Sequence, residues 1–343
     1  MLNILAIQNG TGSRFYRLNP QLKFMQERGH KVKMIPHNDS KLYDSIMWSD
    51  VVIFQMVFSK ELVGAVKSLG KKAVFECDDL LHRVPKTHYE YENLKGIKGL
   101  KFYYKIFDTI RRCDGFISTN KNLQNMYGWM AKKSLAFDNY IDFTHWMKQG
   151  KENKSDEIRL LWAGSTSHTG DLKMIQPVIK KILTKYKNVK FIYIGHGGVK
   201  SEDLTAKFIY GEDLFKDLPD NRESMLGVPA SVWPNILATL NADIAIAPLE
   251  KNYFNKFKSQ CKFLEYSINR IPAVYSGWFY KDVEDGKNGL LANNEKEWVD
   301  KISYLIENAK ERKQMGMNAF GYVINNKNIM DYLSKWEQFI TNL

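Results

Sequence analysis

Short apolar runs, each followed by a stretch of helical period, organise this chain from its first residues. NILAIQ (Asn3–Gln8) reads as a strand that runs into NGTGSRFYR. A helix is expected over residues 19–28, the Gly29-His30 pair breaks it, and KVKMIP (Lys31–Pro36) is a second strand. VVIFQMV (51–57) predicts a strand, 59–69 a helix, and KAVFEC (Lys72–Cys77) a strand ending in Asp78-Asp79. The aromatic, irregular segment LLHRVPKTHYEYENLKG comes next. A helix over 101–112, a strand over 115–118, a further helix and a strand over 134–137 complete the first half. KQGKENKSD (148–156) lacks apolar residues and reads as a linker.

After it the alternation restarts. Residues 158–162 form a strand, AGSTSHTGDL turns into a helix, 174–187 is amphipathic, and VKFIYI (Val189–Ile194) is a strand running into glycines. An irregular stretch and a short helix (232–238) precede a strand over 243–247, which ends in Pro248. A helix then follows, with a strand over 273–275, a loop through DVEDGKNGLLA and helices from residue 295. The last helix, about 329–340, carries Ile329, Tyr332, Leu333, Trp336, Phe339 and Ile340 on one face and must dock on something apolar. This pattern predicts two doubly wound α/β domains facing each other across a cleft, one over 1–147 and one over 157–325, with residues 326–343 as a closing helix.

Composition changes the picture little. A length of 343 residues suits two domains, and 44% apolar residues describe a folded chain without the ~20-residue apolar run of a membrane span. The amino terminus enters a strand with no basic targeting region, and three scattered cysteines fit a reducing cytoplasm and argue against a structural zinc. The net charge of +12 sits mainly in the first half: residues 1–147 hold 22 Lys and Arg against 14 Asp and Glu, the rest 28 against 24. That balance attracts nucleic acid, acidic polymers or anionic headgroups without choosing among them, and a high Lys content alone also produces it.

Candidate chemistry centres on FKSQCKFLEY. Ser259 is placed to cap a helix whose first turns carry Lys258, Lys262 and Glu265 on one face. Helix-start amides, two ammonium groups and a carboxylate one turn deeper suit a nucleoside diphosphate, with the carboxylate on the ribose diol. A solvated surface helix fits the local pattern equally. In the first half, Gly10 and Gly12 make a glycine turn after the first strand, but Phe15 stands where a dinucleotide fingerprint needs its third glycine. Arg14, Tyr16 and Arg17 follow it, at the place where such sheets hold ligands. Asp78, Asp79 and His82 are acid/base candidates, with local capping and packing as the alternative. His168 and Asp171 form a charged pair on the turn into a helix, which a cap would equally explain.

Together, LLWAGSTSHTGDL, FKSQCKFLEYSINRIPAVYS and DGKNGLLANNEKEWVDKISYLIEN resemble the carboxy-terminal domain of GT-B glycosyltransferases of the family 4-like kind, also called glycosyl transferases group 1. The likeness covers residues 158–322; the first domain is similar in layout and in RGHKV, CDDLL and DNYID, and phage DNA-modifying members share the GT-B fold. The resemblance implies two Rossmann-like domains with a carboxy-terminal helix crossing back to the first. It implies Glu265 on the donor ribose, Lys258 at the diphosphate, Gly164 and Ser165 in the phosphate turn, and Asn288, Gly289 and Leu290 closing the donor pocket. Lys262 joins Lys258 by its place on the same helix face, and His168, without a family counterpart, is a donor-side candidate by its place beside that turn. The resemblance also implies a UDP-, GDP- or other NDP-sugar donor, no metal, and transfer with retention. The acceptor, a glycan or envelope polymer or a modified base in DNA, would sit by Gly10, Gly12, Arg14 and Arg17. Were transfer inverting, Asp78, Asp79 or His82 would serve as base. At the position where the family often carries a second glutamate stands Phe257, with Asn255 or Glu250 as substitutes. A silent sugar- or nucleic-acid-binding protein and a nucleotide-sugar epimerase are the competing readings. The expected location is the cytoplasm, the host's if the chain is phage-encoded.

Overall fold

A computed structural model describes residues 1–9, 12–146, 155–195 and 214–343. Two six-stranded sheets, parallel throughout, form its frame. The first contains β1 (Asn3–Gln8), β2 (Lys31–Pro36), β3 (Val51–Gln55), β4 (Lys72–Cys77), β5 (Gly115–Ser118) and β6 (Lys133–Ala136), in the order β2-β1-β3-β4-β5-β6. The second contains β7 (Ile158–Ala163), β8 (Val189–Ile194), β9 (Arg222–Met225), β10 (Ile244–Ala247), β11 (Ala273–Ser276) and β12 (Leu290–Ala292), in the order β12-β11-β10-β7-β8-β9. The strand order reverses between β1 and β3 in one sheet and between β7 and β10 in the other. Crevices of parallel sheets open at the carboxyl ends of strands flanking such a reversal.

Alternation along the strands explains why helices cover both faces. In β1, Leu5 and Ile7 point into one core while Ile4 and Ala6 point into another; in β7, Leu160 and Trp162 oppose Leu161 and Ala163 in the same way. All eight are buried, as strands sandwiched between helices require.

The carboxy-terminal segment crosses back. After the helix Ala309–Asn326, whose Gly316 lies so close to the Arg270 carbonyl that a Cβ would collide with it, the chain bridges to the first half at Ile141 and Asn328. A 3₁₀ turn (Ile329–Asp331) and the helix Leu333–Thr341 then bury Ile329, Leu333, Trp336 and Ile340 against Ile4 of the first sheet and Leu22 and Met25 of the helix Asn19–Glu27. The single helix expected from the periodicity is thus broken at Tyr332, whose ring stacks on Tyr140 with centroids 3.9 Å apart. Two strands lay hidden in the sequence. RESM (β9) is a polar edge strand with no apolar signal, and Leu290–Ala292 is a three-residue edge strand inside what reads as loop. Among the described residues no helix is long and apolar enough to cross a membrane.

Candidate active site

One cavity of about 470 Å³ opens between the carboxyl ends of the two sheets. On the second-sheet side its wall is backbone. Gly164 follows β7, and Gly195, at φ +87°, follows β8; a Cβ on Gly195 would come within 2.5 Å of the Gly164 carbonyl. Gly227 continues this wall, its own ideal Cβ 3.3 Å from the Cα of Gly195. Side-chain-free positions at strand ends let a ligand approach the main chain closely.

The helix Cys261–Ile268 aims at this wall. Lys262 donates to the Ala163 carbonyl and its ammonium lies 5.4 Å from the centre of the Trp162 ring; burial pulls its pKa below the ordinary lysine range. Glu265 lies one turn further on. Tyr16 of the first domain donates to its Oε1 at 2.6 Å, and Trp233 donates as well. Burial raises the Glu265 pKa, against the charge of Lys262 and these two hydrogen bonds. Lys258 Nζ stands 4.0 Å from Asp79 Oδ1. Lysines, a carboxylate and glycine amides from four separate strand ends therefore meet in one space.

The first-sheet wall rests on a buried ion pair. Arg17 meets Glu76 at 2.6 Å, donates to the Phe137 carbonyl at 2.5 Å and to Asn139 Oδ1 at 3.0 Å, and both members of the pair are sealed from solvent. Above it Asp78 lines the cavity with its pKa pushed up to about 7, by burial first and then by the charges of Asp79 and Glu76, with Arg17 and a Ser13 hydrogen bond opposing. Opposite, His168 Nδ1 lies 2.6 Å from Asp171 Oδ2. Asp171 also accepts the Glu250 amide at 2.6 Å and Asn255 Nδ2 at 3.2 Å, and burial raises its pKa to about 6.

The cavity gathers Gly12, Tyr16, Arg17, Asp78, Asp79, Gly164, Ser165, His168, Lys258, Ser259, Lys262 and Glu265 of the residues singled out from sequence. Gly10 lies outside the described residues. The others stand elsewhere. Arg14 does not line the cavity. His82 is turned into the first domain, its Nδ1 2.5 Å from the Tyr127 hydroxyl and its ring against Tyr103, where burial lowers its pKa to about 4. Asn288 organises its own turn, accepting the Glu284 amide at 2.7 Å and donating to the Asp282 carbonyl at 3.1 Å. Gly289 is wedged so that a Cβ would lie 2.8 Å from the Tyr275 ring, and Leu290 is buried in the core under the second sheet. These three hold the loop that leads from Tyr280, which does line the cavity.

Ser259 does not cap the helix. The helix begins at Cys261 behind Gln260, and the Ser259 hydroxyl instead pairs with Asn139 at 3.0 Å and Cys261 at 3.2 Å. Lys258 precedes the helix in extended backbone, after the 3₁₀ turn Asn255–Phe257. Phe257 is no ligand residue: with Phe254 it inserts into the first-domain core, and Asn120 donates to its carbonyl at 2.7 Å. Sequence reasoning missed Gly195, Gly227 and Trp233, because the stretch between them shows no apolar period, and it missed the Tyr16 contact because that contact joins residues 249 positions apart. Among the described residues no three His, Cys, Asp or Glu side chains gather as a metal site.

The fold defined by these two sheets and the returning helix is GT-B. The structure is similar over its full length to HepE of Anabaena solved with UDP and glucose, at 14% identity, TM-score 0.67 and 100% of both chains covered. It is similar to the sucrose-phosphate synthase of Thermosynechococcus elongatus at 11% identity, TM-score 0.69, covering 100% of this chain and 99% of that one. A putative UDP-N-acetylglucosamine 2-epimerase from Listeria monocytogenes shares the architecture at 11% identity and TM-score 0.52, with 98% and 97% covered. No family model matches the sequence. No curated protein matches it. At such identities the likeness establishes the fold, and the reaction must be argued from the site.

Proposed function

We propose that this protein is a glycosyltransferase that moves a sugar from a nucleotide-sugar to an acceptor hydroxyl. The observation that carries the reading is the meeting, in one cavity, of the Gly164–Gly195 backbone wall, Lys258, Lys262 and Glu265. The diphosphate lies on the glycine amides and the two ammonium groups, the ribose diol on Glu265, and the base toward Gly227 and Trp233. HepE, solved with UDP and glucose, supports a uridine donor on this architecture.

The chemistry asked of the site is charge stabilisation. As the bond from the anomeric carbon to the phosphate oxygen breaks, its electron pair goes to the diphosphate, which Lys258 and Lys262 neutralise without a metal ion. The acceptor oxygen bonds the anomeric carbon and, in a retaining transfer, passes its proton to the departing phosphate oxygen. Retention is the stereochemistry that the Glu265 motif favours; in an inverting reaction Asp78 or Asp79, on the first-sheet wall, would take the acceptor proton instead. His82 drops out of the role because it faces away from the cavity.

The acceptor is a glycan or envelope polymer in the first instance. A modified base in DNA, which the basic balance of the first half permits, is the second; there Arg17 pairs with Glu76, and Arg111 and Arg112 with Asp108. The three cysteines are free, which suits a reducing cytoplasm. Incubation with UDP- and GDP-sugars, following nucleoside diphosphate release with and without glycan or duplex DNA, tests the reading. Release that depends on acceptor supports transfer. Conversion of the sugar without acceptor would make the protein an epimerase, and binding without turnover a silent module.

A further inference from the structure

The helix Gly96–Ile110 carries its apolar residues on both sides. Phe102, Tyr103, Ile106 and Ile110 pack inward against the first-domain core. On the opposite side Ile97, Leu100 and Tyr104, at spacings of three and four, are 73%, 56% and 62% exposed, and Trp129, 64% exposed, continues their stripe beside Phe107. A helix of a soluble domain normally turns charge to that side. Lys98, Lys101 and Lys105 run along one side of the stripe, and Lys98 and Lys101 make no ion pair among the described residues. Lys105 feels the charge of Glu61. The acids packed nearby are already neutralised, Asp108 by Arg111, Arg112 and Lys60, and Glu92 by Lys95.

We infer that this face docks on an anionic lipid bilayer. Exposed aliphatic and aromatic side chains bordered by a row of lysines match the interface between acyl chains and acidic headgroups. Charge alone would suit nucleic acid equally, but Ile97 and Leu100 offer no ring on which a base stacks. Placement adds to the case. β4 ends at the cavity in Asp78 and Asp79, and the segment that follows delivers the chain to Gly96 through Thr87, which touches the second domain at Gly170. β5 starts at the far edge, so the helix runs back along the sheet with Ile97 and Leu100 at its cavity end. A bilayer on this face lies beside the acceptor wall of the cavity. The inference stands on this surface alone and does not require the proposed reaction.

Co-sedimentation of the full chain with vesicles tests it, using mixed phosphatidylglycerol and phosphatidylcholine against phosphatidylcholine alone. The expected result is binding to the anionic vesicles that weakens with salt and falls by about tenfold or more in the triple variant Ile97→Ser, Leu100→Ser, Tyr104→Ser, and likewise in Lys98→Glu, Lys101→Glu, Lys105→Glu. All six positions are exposed, and an unchanged melting temperature verifies the fold of each variant. Equal binding to neutral vesicles, or variants that bind as the parent does, overturns the inference. So does a lysine variant that loses a duplex-DNA shift while the parent ignores vesicles, or an apolar variant whose only change is from dimer to monomer.

Discussion

Tyr16 and Glu265 meet across the cavity, and the contact has a direct functional consequence. Its hydroxyl occupies the Glu265 oxygen that the proposed ribose diol needs. Tyr16→Phe is therefore expected to tighten UDP binding by about threefold or more in calorimetry, since the donor no longer displaces a charge-assisted hydrogen bond. Weaker binding would instead give the hydroxyl a direct part in holding the donor. Asp78 has a pH signature. Its pKa of about 7 lies above the ordinary carboxylate value near 4, so between those limits the folded chain holds a proton that the unfolded chain has lost. Its contribution to stability is present at acid pH and disappears as the pH rises through that window. Asp78→Asn should raise the melting temperature more at about pH 8 than at about pH 5, and an equal shift at both would refute the raised pKa. At this scale the sequence revealed residue types well and directions poorly. Lys262, Glu265, Asp78 and Asp79 reach the cavity because strand ends and helix starts point there, whereas His82, three residues after Asp79, and Arg14, next to Ser13, line no part of it. No local spacing records the Tyr127 hydroxyl that turns His82 inward.

The loop from Glu250 to Ser259 ties the two halves together. Phe254 and Phe257 leave the second domain and enter the core of the first, while Asn120 and Asn122 hold the Phe257 and Lys256 carbonyls. Phe254→Ala is expected to cost about 3 kcal/mol in denaturant unfolding, as a buried aromatic truncation does. Phe257→Glu, which would restore the acidic residue common in the resembled family, should cost at least as much by burying an unpaired charge; donor turnover that improved with stability unchanged would show that this position faces the sugar after all. The apolar character of Phe257 was visible in the sequence, but its destination was not, because a core position and a ligand position in a short loop look alike. The regular elements were far more legible. β1, β3, β4, β7, β8 and β10 are mainly apolar runs buried on both faces, and such runs announce themselves. β9 and β12 are short edge strands formed by pairing to a neighbour, and nothing in RESM or LLA alone signals that.

For the whole molecule, two reversals of strand order face each other and the carboxy-terminal helix returns to lock the arrangement. Trp336 and Leu333 bury against the first sheet although the chain has just left the second, so Trp336→Ala should destabilise by about 3 kcal/mol. The account's central claim is that the space between the sheets binds a nucleoside diphosphate through Lys262 and Glu265. Calorimetric titration of UDP and GDP into the parent chain and into Glu265→Ala tests it most directly. The account predicts that at least one of the two binds the parent and that Glu265→Ala binds it about tenfold or more weakly. Absence of binding by either nucleotide, or unchanged affinity in Glu265→Ala, would contradict it.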